Sequence, residues 1–308
     1  MPAPRISVVL ATRNRVDSLR QLLPRLLELS PALDWQLVVA DNGSSDGTAA
    51  YLASLSSAKV AVVREPWPGK CRALNRALHA AAGELLVFTD DDVEPEAGWL
   101  EALAAAAARH PEAACFGGRI LVDPAGVPRW VMRSRLRQLL TSAHDFGDAE
   151  APYPTNRMPI GPNMAVRRSA LQARQDPFPE DMGPGSAIPV GDETAFFYRL
   201  GLGSGQAIYV PSARVRHRPE AGYFRLRAAL RRSYLAGYGA GFVNATHAAL
   251  AAPELGGGVS FLRKAATTRS LREALCSAVR VLGYALGYRS GRAAAPSAGR
   301  PAASSGGG

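Results

Sequence analysis

Cysteine is scarce in this 308-residue sequence: there are three, Cys71, Cys115 and Cys276, widely separated and odd in number. That usage argues against a disulfide framework and against a zinc site, and makes a reducing cytoplasm the expected compartment. Long apolar runs are missing too. No stretch approaches the roughly 18 apolar residues that a spanning helix needs, and the opening MPAPRISVVLATRN lacks the apolar core and small-residue cleavage site of a secretory signal. No internal repeat is evident. Carboxylates are short in one region only: residues 201–308 hold 3 Asp or Glu against 15 Lys or Arg, whereas residues 1–200 hold 23 against 21. Nearly all of the net charge of +10 therefore sits in the last third, where a negatively charged partner is expected.

What is present is an ordinary globular composition, 47% hydrophobic and 20% charged, in a chain long enough for a substantial core. Four apolar runs, ISVVLA (6–11), WQLVVA (35–40), KVAVVRE (59–65) and ELLVF (84–88), alternate with helix-like stretches at 17–29, 46–55 and 71–82. Alternation of that kind predicts an α/β fold, a mostly parallel sheet flanked by helices, with ligands collecting at the carboxyl ends of the strands. Further on, 99–110 reads as a helix and 115–123 as a strand. Residues 124–157 read as a loose excursion carrying a short helix near 130–142. Two basic helices are expected at about 222–250 and 259–288. In the second, Leu262, Ala266, Leu275, Val279, Leu282 and Leu286 form an apolar stripe. The expected division is a catalytic domain over 1–220, a basic helical extension over 221–289 and a disordered tail over 290–308.

The strand ends carry the chemistry. They read TRNR (12–15), DNGSSDGT (41–48), EPWPGKCRALN (65–75) and TDDD (89–92), all polar, charged or glycine-rich. Three adjacent aspartates, Asp90 to Asp92, repel one another and raise each other's pKa unless a cation lies among them.

Five blocks in order, ISVVLATRNR, VVADNGSSDGT, GKCRALNRALHAAAGELLVFTDDDV, GPNMAVRRSAL and GDETAFFYRL, resemble the family 2 glycosyltransferases of the GT-A fold over about residues 5–240. These are inverting enzymes that move a sugar from a nucleoside diphosphate to an acceptor. The resemblance implies that Thr12, Arg13 or Arg15, and Asp41 contact the nucleotide, although Asp41 also suits an Asx-turn. It implies that Lys70 and Asn75 steady the diphosphate or order the fourth strand's loop. Asp90 and Asp91 would lie near the donor, and Asn163 and Met164 near the sugar and acceptor. Asp92, with Asp90 and His217, would hold Mn2+ or Mg2+, since hard oxygen ligands suit either ion. The base would be Glu193 or its neighbour Asp192, the family's usual order of the two acids being reversed here. Trp67 and Trp130 are candidate sugar platforms or packing residues.

Two other classes compete with this reading. A sugar nucleotidyltransferase would need a glycine-rich basic loop after the first strand, and ATRNRVDSL has no glycine. A polyanion-binding protein is suggested by the basic last third, but its arginines alternate with leucine and alanine and no nucleic-acid motif accompanies them. A helix pair resting on anionic lipid at the inner face of the membrane, near a lipid-linked acceptor, fits that pattern better.

Overall fold

The computed structural model describes residues 5–155, 157–219, 222–246 and 270–294. Strand β1 (Ile6–Thr12) lies between β2 (Trp35–Asp41) and β4 (Leu85–Thr89), with β3 (Val60–Arg64) outside β2, all four parallel. Beyond β4 the sheet continues through β8 (Met164–Arg167), β6 (Cys115–Val122), β9 (Ala207–His217) and β5 (Val93–Pro95), while β7 (Ala151–Pro152) also pairs with β9. Strands β8, β5 and β7 run against the others, so the sheet is mostly parallel with an antiparallel insertion at β8.

Alternation along β1 explains the layering. Ile6, Val8 and Leu10 point to one face, against α1 (Val16–Glu28) and α4 (Trp99–Arg109). Val9 and Ala11 point to the other, against α3 (Lys70–Ala80) and α7 (Asp192–Arg199). The central strands β1, β2 and β4 are thus apolar on both sides, as a sheet covered on both faces demands. Register sets the strand ends level: Thr12 stands opposite Asp41, and Asp41 opposite Arg64. The short helix α2 (Thr48–Ala53) follows β2, and the excursion before β8 carries two, α5 (Arg129–Met132) and α6 (Arg137–Thr141), where one was expected.

The basic extension is a helix pair, α8 (Leu226–Thr246) and α9 (Leu271–Ala294). Helix α9 runs to Ala294, over the first residues expected for the tail; residues 295–308 lie outside the described set, as do Leu262 and Ala266. The expected leucine stripe is not the packing face. Leu271, Leu275, Leu282 and Leu286 are exposed, and the buried face is Cys276, Ser277, Gly283, Gly287 and Gly291. A methyl placed on Gly287 would lie 2.0 Å from the Tyr238 carbonyl oxygen, and one on Gly237 2.0 Å from that of Arg280. Only glycine permits backbones this close. Gly237 meets Arg280, Gly241 meets Tyr284 and Gly291 meets Phe242, so the two helices run parallel. The repeated G-Y-x-x-G-[F/Y] at 237–242 and 283–288 makes the seam, a short echo that composition does not reveal.

Candidate functional site

The aspartate run ends β4, and each member finds a different partner. Asp90 takes a hydrogen bond from Lys70 Nζ at 2.5 Å. Asp91 accepts one from Thr12 Oγ1 at 2.7 Å and lies 3.7 Å from Arg15 Nε. Burial, with the flanking Asp90 and Asp92 adding to it, pushes Asp91 up to about 6 against the pull of Thr12 and Arg15. Asp92 faces His217 Nε2 at 3.5 Å. Burial would raise Asp92, but the hydrogen bond and charge of His217 outweigh it and hold this carboxyl below its usual range. His217 Nδ1 lies 3.1 Å from the Thr141 carbonyl, which can only accept, so Nδ1 carries a proton and Nε2 is the atom left for Asp92. Asp91 and Asp92 line a hollow of about 180 Å3 with Arg15 and Arg218.

The acidic block heads α7. Gly191, just before it, has φ +90°, a left-handed conformation that glycine adopts freely, and it starts the helix so that Asp192 and Glu193 occupy the first turn. The two acids then diverge. Asp192 is buried, its Oδ2 3.9 Å from Cys71 Sγ, and burial raises its pKa. Glu193 accepts the Gly161 N–H at 2.7 Å and lines a cavity of about 890 Å3. Burial, then the Asp192 charge, pushes Glu193 up to about 7. Lys70 stands between the two acidic groups. Burial works against its charge, yet Asp90, Asp192 and Glu193 together raise its pKa. The aspartate run and the acidic block are therefore one electrostatic unit joined through Lys70.

Other expected site residues fall into place or away. Thr12, Arg13, Arg15 and Asp41 stand at the carboxyl ends of β1 and β2, with Arg13 exposed. Asp41 accepts the Ser44 N–H at 3.0 Å, three residues ahead, where an Asx-turn would reach two. Asn75 is turned away from the cleft: its amide donates to the Phe178 carbonyl and accepts the Phe178 N–H, both at 3.0 Å. It orders the loop leading to α7. Asn163, 1% exposed, is likewise spent inside the fold. It accepts from Trp99 Nε1 at 2.8 Å and donates to the Arg119 and Ala213 carbonyls. Trp67 is 69% exposed beside the β3 loop, whereas Trp130 packs under Arg272 of α9. The 890 Å3 cavity also carries Arg135, His144, Arg157, Asn244 and Arg280, which sequence reasoning missed. They come from separate segments, and only the chain's path brings them together.

A divalent cation would find oxygen ligands in Asp92 and Asp90 and a nitrogen ligand in His217 Nε2, a donor set that fits Mn2+ or Mg2+. Among the described residues no three His, Cys, Asp or Glu side chains form a ready-made cage, so part of any cation's shell must come from elsewhere.

Residues 7–174 match the sequence profile of Glycosyl transferase family 2. The chain belongs to this family. It is 26% identical over 216 residues to the pre-mycofactocin glycosyltransferase of Mycobacterium tuberculosis, covering 69% of this chain and 42% of that protein. It is 28% identical over 102 residues to glycosyltransferase AglE of Haloferax volcanii, covering 32% and 34%. The family 2 chain thus spans less than half the length of these curated relatives. In three dimensions it resembles the mannosyltransferase PcManGT of Pyrobaculum calidifontis, solved with GDP-Man and Mn2+ (TM-score 0.53, 20% identity, 95% of this chain and 76% of that one). It also resembles S. aureus TarS 1-349 (TM-score 0.54, 16% identity, 94% and 92%). Both likenesses support the GT-A fold.

Proposed function

We propose that this family 2 member transfers a sugar from a nucleoside diphosphate to an acceptor hydroxyl in one inverting displacement. The observation that carries this reading is the position of Glu193: at the head of α7, fixed by the Gly161 N–H, on the wall of the 890 Å3 cavity and one lysine away from the aspartate run. The donor's nucleotide lies along the ends of β1 and β2, by Thr12, Arg13, Arg15 and Asp41, with Asp90 and Asp91 beside its ribose and diphosphate. Glu193 takes the acceptor's hydroxyl proton as that oxygen bonds to the anomeric carbon. The bond from that carbon to the diphosphate oxygen breaks, and the nucleoside diphosphate leaves with the electron pair. Lys70 stands where it can meet that charge. Asp92, Asp90 and His217 would hold a divalent cation, whose chemistry is to neutralise charge on a departing diphosphate; the Pyrobaculum calidifontis neighbour solved with GDP-Man and Mn2+ supports this. Asp192, buried behind Glu193, raises the Glu193 pKa by like-charge repulsion and is not the base.

Two variants test the scheme. Glu193→Gln should retain nucleotide affinity and lose transfer by about 100-fold or more, the usual scale for a general base; unchanged turnover removes Glu193 from this role. Asp92→Ala should abolish the metal-dependent thermal shift given by UDP or GDP, and a shift equal to that of the unaltered chain removes the cation site.

The exposed leucines of α9 and the arginines beside them support contact with an anionic lipid surface through this helix. Among the described residues no helix is long and apolar enough to cross a membrane.

A further inference from the structure

The 890 Å3 cavity beside Glu193 is lined by guanidinium groups from three separate segments. Arg135 precedes α6, Arg157 lies in the loop before β8, and Arg280 projects from α9. Glu193 is the one carboxylate among the described residues lining it. His144, on the same wall, is neutral: burial and the Arg157 charge lower it to about 4, and its Nε2 lies 3.0 Å from the Tyr153 hydroxyl. Arg157 and Arg280 line the same cavity, and burial, then the Arg157 charge, lowers the Arg280 pKa. Guanidinium groups gathered on one half-enclosed wall favour an anion there.

We propose that the acceptor carries an anionic group, a phosphate or a carboxylate, which Arg157 and Arg280 grip while the acceptor hydroxyl meets Glu193. This rests on reading the cavity as the acceptor side of the transfer site. The acceptor would span the distance from the guanidiniums to Glu193, so the C-terminal helix takes part in substrate choice. An anion held in this way also keeps the acceptor from entering with its hydroxyl pointing outward. Neutral sugars or alcohols would lack that anchor. The same chemistry suits a soluble phosphorylated metabolite and a phosphorylated lipid headgroup, and the experiment separates them.

The full chain, saturated with magnesium and whichever of UDP or GDP it binds, is titrated with glycerol 1-phosphate, with glycerol, and with phosphatidylcholine vesicles with and without phosphatidic acid. The expected result is binding of a phosphate-bearing probe and none of glycerol. Arg157→Gln and Arg280→Gln should each weaken that binding about tenfold or more, the loss of one charge-assisted contact, while nucleotide affinity stays as it was. Preference for glycerol 1-phosphate identifies a soluble acceptor; arginine-dependent binding only to phosphatidic acid vesicles identifies a lipid one. If Arg280→Gln disturbs the helix pair and nucleotide binding falls, Arg157→Gln decides, since Arg157 is exposed on a loop. Phosphate binding that survives both substitutions, or no binding of either phosphate-bearing probe, overturns the proposal. A chain that binds no nucleotide yet binds phosphate through Arg157 would refute the donor reading and leave the anion site standing.

Discussion

At the scale of single residues, the three aspartates solve their mutual repulsion by turning to three different partners, Lys70, Thr12 with Arg15, and His217. The sequence makes the repulsion plain but not its solution, because two of the partners lie more than 70 residues from the run in one direction and over 100 in the other. The pair Asp192 and Glu193 is divided in the same way, one toward the core and one toward the cavity. A pH profile tests the division. Glu193 must be ionised to take a proton, and its raised pKa means that the rate should climb between about pH 6 and pH 8 and then level off. Asp192→Asn removes a charge that raises Glu193, so the rise should move to lower pH. A profile that does not move would show that Asp192 does not act on the base. Asn75 and Asn163 show the limit of motif transfer: both occupy family-like blocks, yet their amides are consumed by backbone groups and, for Asn163, the Trp99 indole, partners that only the folded chain supplies.

At the scale of elements, the strands and helices of the first hundred residues are legible because each obeys its own period, and apolar β-branched runs bounded by polar loops leave little choice. The C-terminal helices are different. Their seam is glycine and the leucines of α9 point outward, so a reading that places the largest side chains inside assigns the wrong face to α9. What glycine contributes is backbone proximity, which hydrophobicity does not register. Gly287→Leu places a side chain where the Tyr238 carbonyl already stands. It should lower stability by about 1–3 kcal/mol or detach α9, read as a lower denaturation midpoint. Leu282→Ala on the exposed stripe should leave the midpoint nearly unchanged. Equal losses for both would contradict the glycine seam.

At the scale of the whole molecule, positive charge and exposed leucine occupy the same helix that sends Arg280 into the cavity. If α9 rests on lipid, Leu282→Asp with Leu286→Asp should abolish co-sedimentation with anionic vesicles and leave nucleotide binding intact. Retained co-sedimentation would exclude this face as the contact. The parallel course of α8 and α9 carries one more consequence, for how the chain can change length. Helix α8 has 21 residues, a span of about 31 Å, and the chain must travel back over that span before α9 can start beside the beginning of α8. An extended chain needs roughly ten residues to do so. The 24 residues between Thr246 and Leu271 exceed that floor, so deletions in this stretch should be tolerated down to about ten residues and fail abruptly below. Homologous chains that keep both glycine repeats should never carry a shorter bridge.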